Sequence, residues 1–577
     1  MVEHEAYECA GGFALNFLNR FSKEIWETKY RARDETVDDT WRRVAKALAS
    51  VEKNPAAWEE RFYDRLKNFR FIPGGRIIAS AGTKNRATLF NCFVMGVIED
   101  SMDGIFDALK EGALTMQQGG GVGYDFSTLR PKGMPALSTG RIASGPVSFM
   151  RIWNTMCATV LTTGARRGAM MATLRCDHPD IFDFIRAKSN DSRDLNHFNL
   201  SVLVTDKFMK AVRADESWPL AFHDADSGSY SGSKKTLRAR DLWHEIMECN
   251  YKSAEPGVLF IDRINRENNL WYVENISATN PCGEIPLPPY GACDLGSVNL
   301  TQFVIDPFTP QAHFDFEQMG ESIADCVRML DNVIDVASFP LPAQAEQVRQ
   351  SRRIGLGVTG LADALVMQGF DYRDGNARDW AASVMELIRD RAYAASIDLA
   401  REKGAFPQFV KEKYLRGPFI ERLPDDLRAG ISLYGIRNSH CLAIAPTGTI
   451  SLLANNISSG IEPIFSESFH RRVLQIDGSY LEYDVTDYAV SLWRNQMGAA
   501  PLSREFVFAH EIEPMDHLFM QAAIQPFVDN SISKTINVAE DFPFERFVEI
   551  YDRADELNLK GCTTFRSNPI TGSILRS

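Results

Sequence analysis

The chain has 577 residues, 45% hydrophobic and 24% charged, an ordinary balance for a folded globular protein. A net charge of −13 and a pI near 5.4 argue against a surface for a nucleic acid polymer, and no apolar run approaches the roughly 18 residues that a membrane span needs. Ten cysteines, none in CxxC pairs, are too sparse for a disulfide scaffold and wrongly spaced for a zinc ribbon; with no basic-then-apolar leader after Met1, the chain reads as cytoplasmic.

Residues 1–70 read as a helical N-terminal region, because Glu24–Arg31 and Trp41–Ala49 carry apolar positions three and four apart. Residues 71–577 are long enough for several domains or for one large α/β unit. Phe71-Ile-Pro-Gly-Gly leads by a turn into an apolar strand around Asn91 and Cys92, where a cysteine taken alone is packing. Asp100 opens a helix with an acidic start, and Gly119-Gly-Gly121-Val-Gly123 is either a flexible turn or a ligand cradle. Two Gly- and Arg-bearing stretches follow, around Arg141 and around Arg166-Arg167; they suit anion-contacting loops, with solvated arginines the plainer alternative. His178 sits among carboxylates at a helix start, but with no second histidine at helical spacing it reads as a cap rather than a metal ligand. Residues 200–275 alternate strand-like and helical pieces; His244-Glu245 lacks the second histidine of a metalloprotease.

The most informative stretch is Asn280-Pro-Cys282-Gly-Glu284-Ile-Pro-Leu287, with Cys293 eleven residues after Cys282. Pro281, Pro286, Pro288 and Pro289 exclude a helix. Read as an extended segment, it turns Asn280, Cys282 and Glu284 to one face. An amide, a sulfur capable of redox or radical chemistry and a proton acceptor would then meet there. Residues 315–340 and 376–402 carry helical periodicity. Gly355-Leu-Gly357-Val-Thr-Gly360 fits the spacing of a dinucleotide fingerprint, yet Gln350-Ser-Arg-Arg precedes it instead of an apolar strand, so it reads as scaffold. In Cys441–Ala454 a buried strand runs through Pro446-Thr447-Gly448-Thr449-Ile450-Ser451 into a helix start, where backbone N–H groups and hydroxyls suit a phosphate.

The 280–287 motif, followed by Gly291-Ala-Cys293-Asp-Leu-Gly-Ser-Val-Asn-Leu300, resembles the finger loop of ribonucleotide reductase large chains, most closely the adenosylcobalamin-dependent class II form. The resemblance runs from about residue 70 onward, with the loop at 278–295. It implies a ten-stranded α/β barrel behind a helical N-terminal region. It also implies reduction of ribonucleotides, diphosphates by this likeness, with adenosylcobalamin as cofactor. Cys282 would carry a thiyl radical, Glu284 take a proton, Asn280 hold the sugar, and Cys92 and Cys293 form the reducing pair. Asn91, Gly121 and Pro446–Ser451 would contact the substrate. Asp100, Arg141, Arg166 and Arg167 would belong to a dimer interface and loops that bind a deoxynucleotide or ATP effector. Class I members relay a radical from a separate metal subunit through a tyrosine pair; this chain has Thr563-Thr564-Phe565 at that place, and a phenyl ring has no O–H to lend. No cysteine follows Cys562, so an external thioredoxin-like thiol is expected to reset the Cys92–Cys293 pair, or else a C-terminal tail is missing.

Overall fold

The computed structural model describes residues 17, 19–85, 87–136, 141–160, 169–189, 194–223, 230–474 and 480–566. The N-terminal helices Arg20–Lys29, Val37–Ala49 and Pro55–Leu66 start at Asn19, Thr36 and Asn54, whose side chains accept from backbone N–H groups of the first turn. Trp41, Val44, Ala45 and Leu48 form the buried stripe that the periodicity predicts. The layer is tied to the rest of the chain by ion pairs of Arg61 and Arg65 with Asp325, and by Ser22 Oγ donating to Leu452 O at 2.7 Å.

A ten-stranded sheet, counted with Phe71–Pro73 at its edge, forms the centre, and nine of its strands are barrel staves. Cys92–Val94, Gly121–Asp125, Met170–Arg175, Phe198–Val204 and Gly257–Phe260 run parallel as successive neighbours. A second parallel set begins with Ala292–Asn299 beside Ile354–Thr359. It continues through single parallel bridges, Leu356 to Leu442 and Ile444 to Ile532, into Thr535–Val538 and Gly561–Arg566. The two sets meet antiparallel at two seams, Cys92–Phe93 against Ala292–Cys293 and Val258–Leu259 against Gly561–Cys562. Following these pairings returns to the starting strand, so the expected ten-stranded α/β barrel is present, with 441–445 as its least regular stave and Phe71–Pro73 added beside Ala292–Asn299. Ile354–Thr359 is one of the staves, and the dinucleotide-like glycines are therefore scaffold.

The long helices Phe316–Val336 and Gly375–Lys403 pack outside, and inside the barrel runs a hairpin, Ala278–Thr279 paired with Pro286–Leu287. Both faces of the strands are therefore covered, and their residues are buried nearly without alternation. Ala278, Ile285 and Leu287 of the hairpin pack with Cys92, Cys293 and Leu295 of the wall in a cluster apart from the main core. No helix among the described residues is long and apolar enough to cross a membrane.

Candidate active site

The hairpin tip departs from the extended run expected for 280–284. Gly283 N donates to Asn280 O at 3.1 Å, closing a turn with Pro281 in its second position, and Gly283 takes φ +82°. Proline's fixed φ and glycine's access to positive φ favour this turn over continued extension. Asn280 and Glu284 are thereby folded back into the wall, while Cys282 is left exposed at the apex. Asn280 is the hub: its Oδ1 accepts from Ile285 N at 3.0 Å, and its Nδ2 donates to Glu284 Oε2 at 2.7 Å and Cys92 Sγ at 3.2 Å. Cys92 Sγ lies 3.8 Å from Glu284 Oε1. Across the seam, Cys293 stands directly opposite Cys92 in the antiparallel register, both as free thiols.

The loop is held from several sides. Gly123 lets it pass, since a Cβ there would lie 1.9 Å from Thr279 O. Asn199 Nδ2 donates to Pro281 O at 2.7 Å, Ser531 N to Glu284 O at 3.0 Å, and Arg353 Nη1 to Pro286 O at 3.3 Å. Arg353 also pairs with Glu274 at 2.7 Å and donates to His440 Nδ1 at 3.1 Å. One buried guanidinium thus joins the segment leading into the loop, the strand leading out, and the stave at 441–445.

Cys282 faces two cavities. The smaller, about 400 Å³, is lined by Asn91, Cys92, Gly121, Asn280, Glu284 and the turn at 446–450. The larger, about 1200 Å³, lies beyond the tip and mixes apolar side chains such as Phe465, Ile532 and Phe565 with amides and hydroxyls such as Asn199, Asn537 and Thr563. Among the described residues no group of three or more His, Cys, Asp or Glu side chains is arranged to hold a metal ion. His178 accepts from Asp180 N through Nδ1 and is bonded to Leu129 O through Nε2, the arrangement of a cap.

Burial raises the Glu284 carboxyl to about 7, against hydrogen bonds from Asn280 and Cys92 that favour its charged form. Burial likewise pushes the Cys92 thiol well up, with the Glu284 carboxylate adding to the effect, and Cys293 follows for the same first reason. Both cysteines are therefore neutral thiols near pH 7, able to give hydrogen atoms or protons rather than to act as free thiolates. A base at Glu284 must be ionised to work. The rate constant kcat/KM is expected to rise about tenfold per pH unit up to about 7 and level above it. A flat profile from pH 5.5 to 8 would count against Glu284 as the base. Stability should run the other way: the folded carboxyl holds its proton up to about 7 while the unfolded one releases it near 4.5, so stability falls as pH rises through that window. The loss is about 3 kcal/mol. Glu284→Gln protein should consequently melt above the wild type at pH 8, and the gap should close toward pH 4.5.

Two family descriptions cover nearly the whole chain: the ribonucleotide reductase barrel domain matches residues 90–565 and the ribonucleotide reductase all-alpha domain matches residues 16–86. The chain belongs to the ribonucleotide reductase family. Among similar proteins is a vitamin B12-dependent ribonucleoside-diphosphate reductase of Thermoplasma acidophilum, 36% identical over 95% of this chain and 70% of that one. A protein of the same description from Mycobacterium tuberculosis is 37% identical over 94% of this chain and 77% of its own length. A ribonucleoside-diphosphate reductase large subunit of Danio rerio is more distant, 29% identical over 86% of this chain and 68% of its own.

Within this reductase scaffold the remaining expected residues fall unevenly. Pro446, Thr447, Gly448, Thr449 and Ile450 line the smaller cavity, where Thr447 takes φ +51°. The Thr447 hydroxyl is bonded to Thr359 Oγ1 and Gly460 N, and that of Ser451 to Ser459 Oγ, so both brace the turn from behind. What the turn offers the cavity is Thr449 and backbone, with Gly448 exposed. The Asp100 carboxylate is engaged by Arg130 at 2.6 Å. Arg141 lies on the short strand Arg141–Ile142, its side chain outside the described residues, and Arg166 and Arg167 lie outside them entirely. Sequence reasoning missed Tyr30 and Arg76, which line the smaller cavity, and Asn199 on the wall of the larger. The signals were slight: an arginine after Gly74-Gly75, and an amide breaking the apolar run Phe198–Val204.

Proposed function

We propose that this chain reduces ribonucleoside diphosphates to 2′-deoxyribonucleotides, using adenosylcobalamin. The observation that carries the reading is the placement of Cys282 on the wall between the two cavities, with Asn280, Glu284 and Cys92 joined behind it. The names of the two most similar relatives described above, both vitamin B12-dependent, supply the cofactor class. The larger cavity fits it: a wide space of apolar, amide and hydroxyl groups suits a corrin edged with amides, and Thr563, Thr564 and Phe565 line it where a tyrosine relay would stand in a class I chain. When bound, the cofactor supplies a carbon-centred radical able to take a hydrogen atom from a thiol.

The residues then divide the work. Cys282, as thiyl, takes the hydrogen atom from C3′ of the substrate, and Glu284 takes the 3′-hydroxyl proton. The C2′–O bond breaks and the 2′-oxygen leaves as water with a proton from one thiol of the Cys92–Cys293 pair. The pair gives its other hydrogen to C2′ and its two electrons to the sugar, becoming a disulfide, while Glu284 returns its proton to the 3′-oxygen and Cys282 its hydrogen atom to C3′. Asn280 holds both Glu284 and the sugar. Asn91, Gly121 and the 446–451 turn seat the nucleotide, and the buried wall keeps water from the radical. An external thioredoxin-like dithiol resets the disulfide by exchange. In this reading the chain divides into a helical cap to residue 70 and the barrel from 71, and the enzyme works in the cytoplasm.

A partner copy of the chain is part of the reading. Met102, Phe106 and Leu114 of helix Met102–Gln117 and Ile152 of helix Pro146–Thr159 are exposed apolar side chains, and a homodimer formed on them would put Asp100 and the arginine-bearing loops at the effector site. Phe106→Asp should turn a dimer into monomers in sedimentation velocity; an unchanged dimer would place the interface elsewhere.

The function is tested by anaerobic CDP reduction with dithiothreitol, with and without adenosylcobalamin and with no second protein. Deoxycytidine diphosphate only with the cofactor supports the reading. Activity that needs a metal-containing second subunit instead would make this a class I chain.

A further inference from the structure

On the strand Phe198–Val204, Phe198, Leu200, Val202 and Val204 belong to the main core, so alternation turns Asn199, Ser201 and Leu203 to the barrel interior. Asn199 is the exposed polar member of that strand and lines the larger cavity beside Cys282. Its Nδ2 donates to Pro281 O at 2.7 Å. That carbonyl belongs to the peptide group whose nitrogen is the Cys282 amide, so the bond sets the plane from which the Cys282 side chain departs. On the opposite side the Pro281 ring rests against the neighbouring wall, where a Cβ on Gly121 would stand 3.2 Å from Pro281 Cγ. The tip is gripped between Gly121 and Asn199, while Gly283 just beyond opens onto space with no atom within 4 Å of where its Cβ would be.

We propose that Asn199 is the positioning residue that fixes the Cys282 thiol at the junction of the two cavities, which rests on the reading of Cys282 as the radical carrier. Cys282 has to receive a hydrogen-atom vacancy from one side and use it on the other. Both transfers need contact at roughly 3–3.5 Å, and a displacement of about 1 Å costs on the order of 100-fold in rate. A turn anchored through one carbonyl by one amide meets that demand. Without the amide the peptide plane is free to rotate, and water entering the larger cavity, which Pro281 lines, replaces the hydrogen bond but not its direction.

The test compares Asn199→Ala and Asn199→Asp with the wild type, the aspartate keeping the shape while losing the donor. Three readouts are taken: CDP reduction, adenosylcobalamin binding followed by its visible absorbance, and alkylation of Cys282 by iodoacetamide in cofactor-free protein, followed by peptide mass spectrometry. Expected are a kcat at least about 30-fold lower with KM for CDP within about threefold, unchanged cofactor affinity, and an alkylation rate altered at least threefold in both variants. Wild-type kcat with unaltered alkylation overturns the proposal. Loss of cofactor affinity as the main effect also overturns it and makes Asn199 a cofactor contact instead. If the wild type itself fails to reduce CDP, the functional reading falls, and the alkylation rates still decide whether Asn199 fixes the thiol.

Discussion

Cys282→Ser protein is expected to reduce CDP at less than about 10⁻⁴ of the wild-type rate while melting within about 2 °C of it. Cys282 is exposed at the apex of a turn whose hydrogen bonds are made by backbone, by Asn280 and by Asn199, so the exchange of sulfur for oxygen disturbs no packing. The hydroxyl is smaller and more polar than the thiol, a change that an exposed position tolerates. What it loses is the weak S–H bond: an O–H bond gives up its hydrogen atom at far greater cost, and a penalty of only about 5.5 kcal/mol in the barrier removes four powers of ten. Adenosylcobalamin should still bind, because nothing in the larger cavity but one atom has changed. Deoxynucleotide formation at a few per cent of the wild-type rate would sink the assignment of Cys282 as the radical carrier.

The second large effect concerns the fold around the loop. Arg353 and Glu274, with side chains 2% exposed each, form an ion pair at 2.7 Å. Arg353 also donates to Pro286 O and His440. Arg353→Met or Glu274→Gln should each cost about 3–5 kcal/mol, because the partner left behind is a buried charge without its counter-charge. At roughly 2–4 °C per kcal/mol, that lowers the melting temperature by about 6–20 °C. The double variant should recover part of the loss, since exchanging a buried pair for neutral groups avoids the stranded charge. Single variants that melt like the wild type, measured by calorimetry, would show that the loop is held without this pair.

Much of the barrel was legible because its strands and helices obey local rules. Leu200–Val204, 315–340 and 376–402 were found from period and composition, and Trp41–Ala49 from its apolar stripe. The ring itself was not legible in this way. Its tenth stave, 441–445, is held by two isolated bridges, a pairing between segments some 90 residues apart that no local pattern encodes. The loop motif pointed to Asn280, Cys282 and Glu284, but the reason offered was alternation along an extended chain. The structure brings Asn280 and Glu284 together by a turn instead, and places Cys282 apart from them at the tip. Proline and glycine were visible; that they would make a turn rather than merely prevent a helix depends on the walls that the loop enters. Arg76, Tyr30 and Asn199 escaped because each becomes part of a cavity only when distant segments meet.

The seam at Cys92 and Cys293 is also where the two five-stranded halves of the barrel join, running in opposite directions. A disulfide between these residues would be a rivet through that joint, put in and drawn out once in every round of catalysis. In the dithiol state the joint is carried by backbone pairing and by the packing of Cys92, Cys293 and Leu295 against the hairpin residues Ala278, Ile285 and Leu287. Oxidation of the pair would add a covalent link between the halves. The same two electrons that deoxygenate the sugar would thus also set the stiffness of the vessel that holds it.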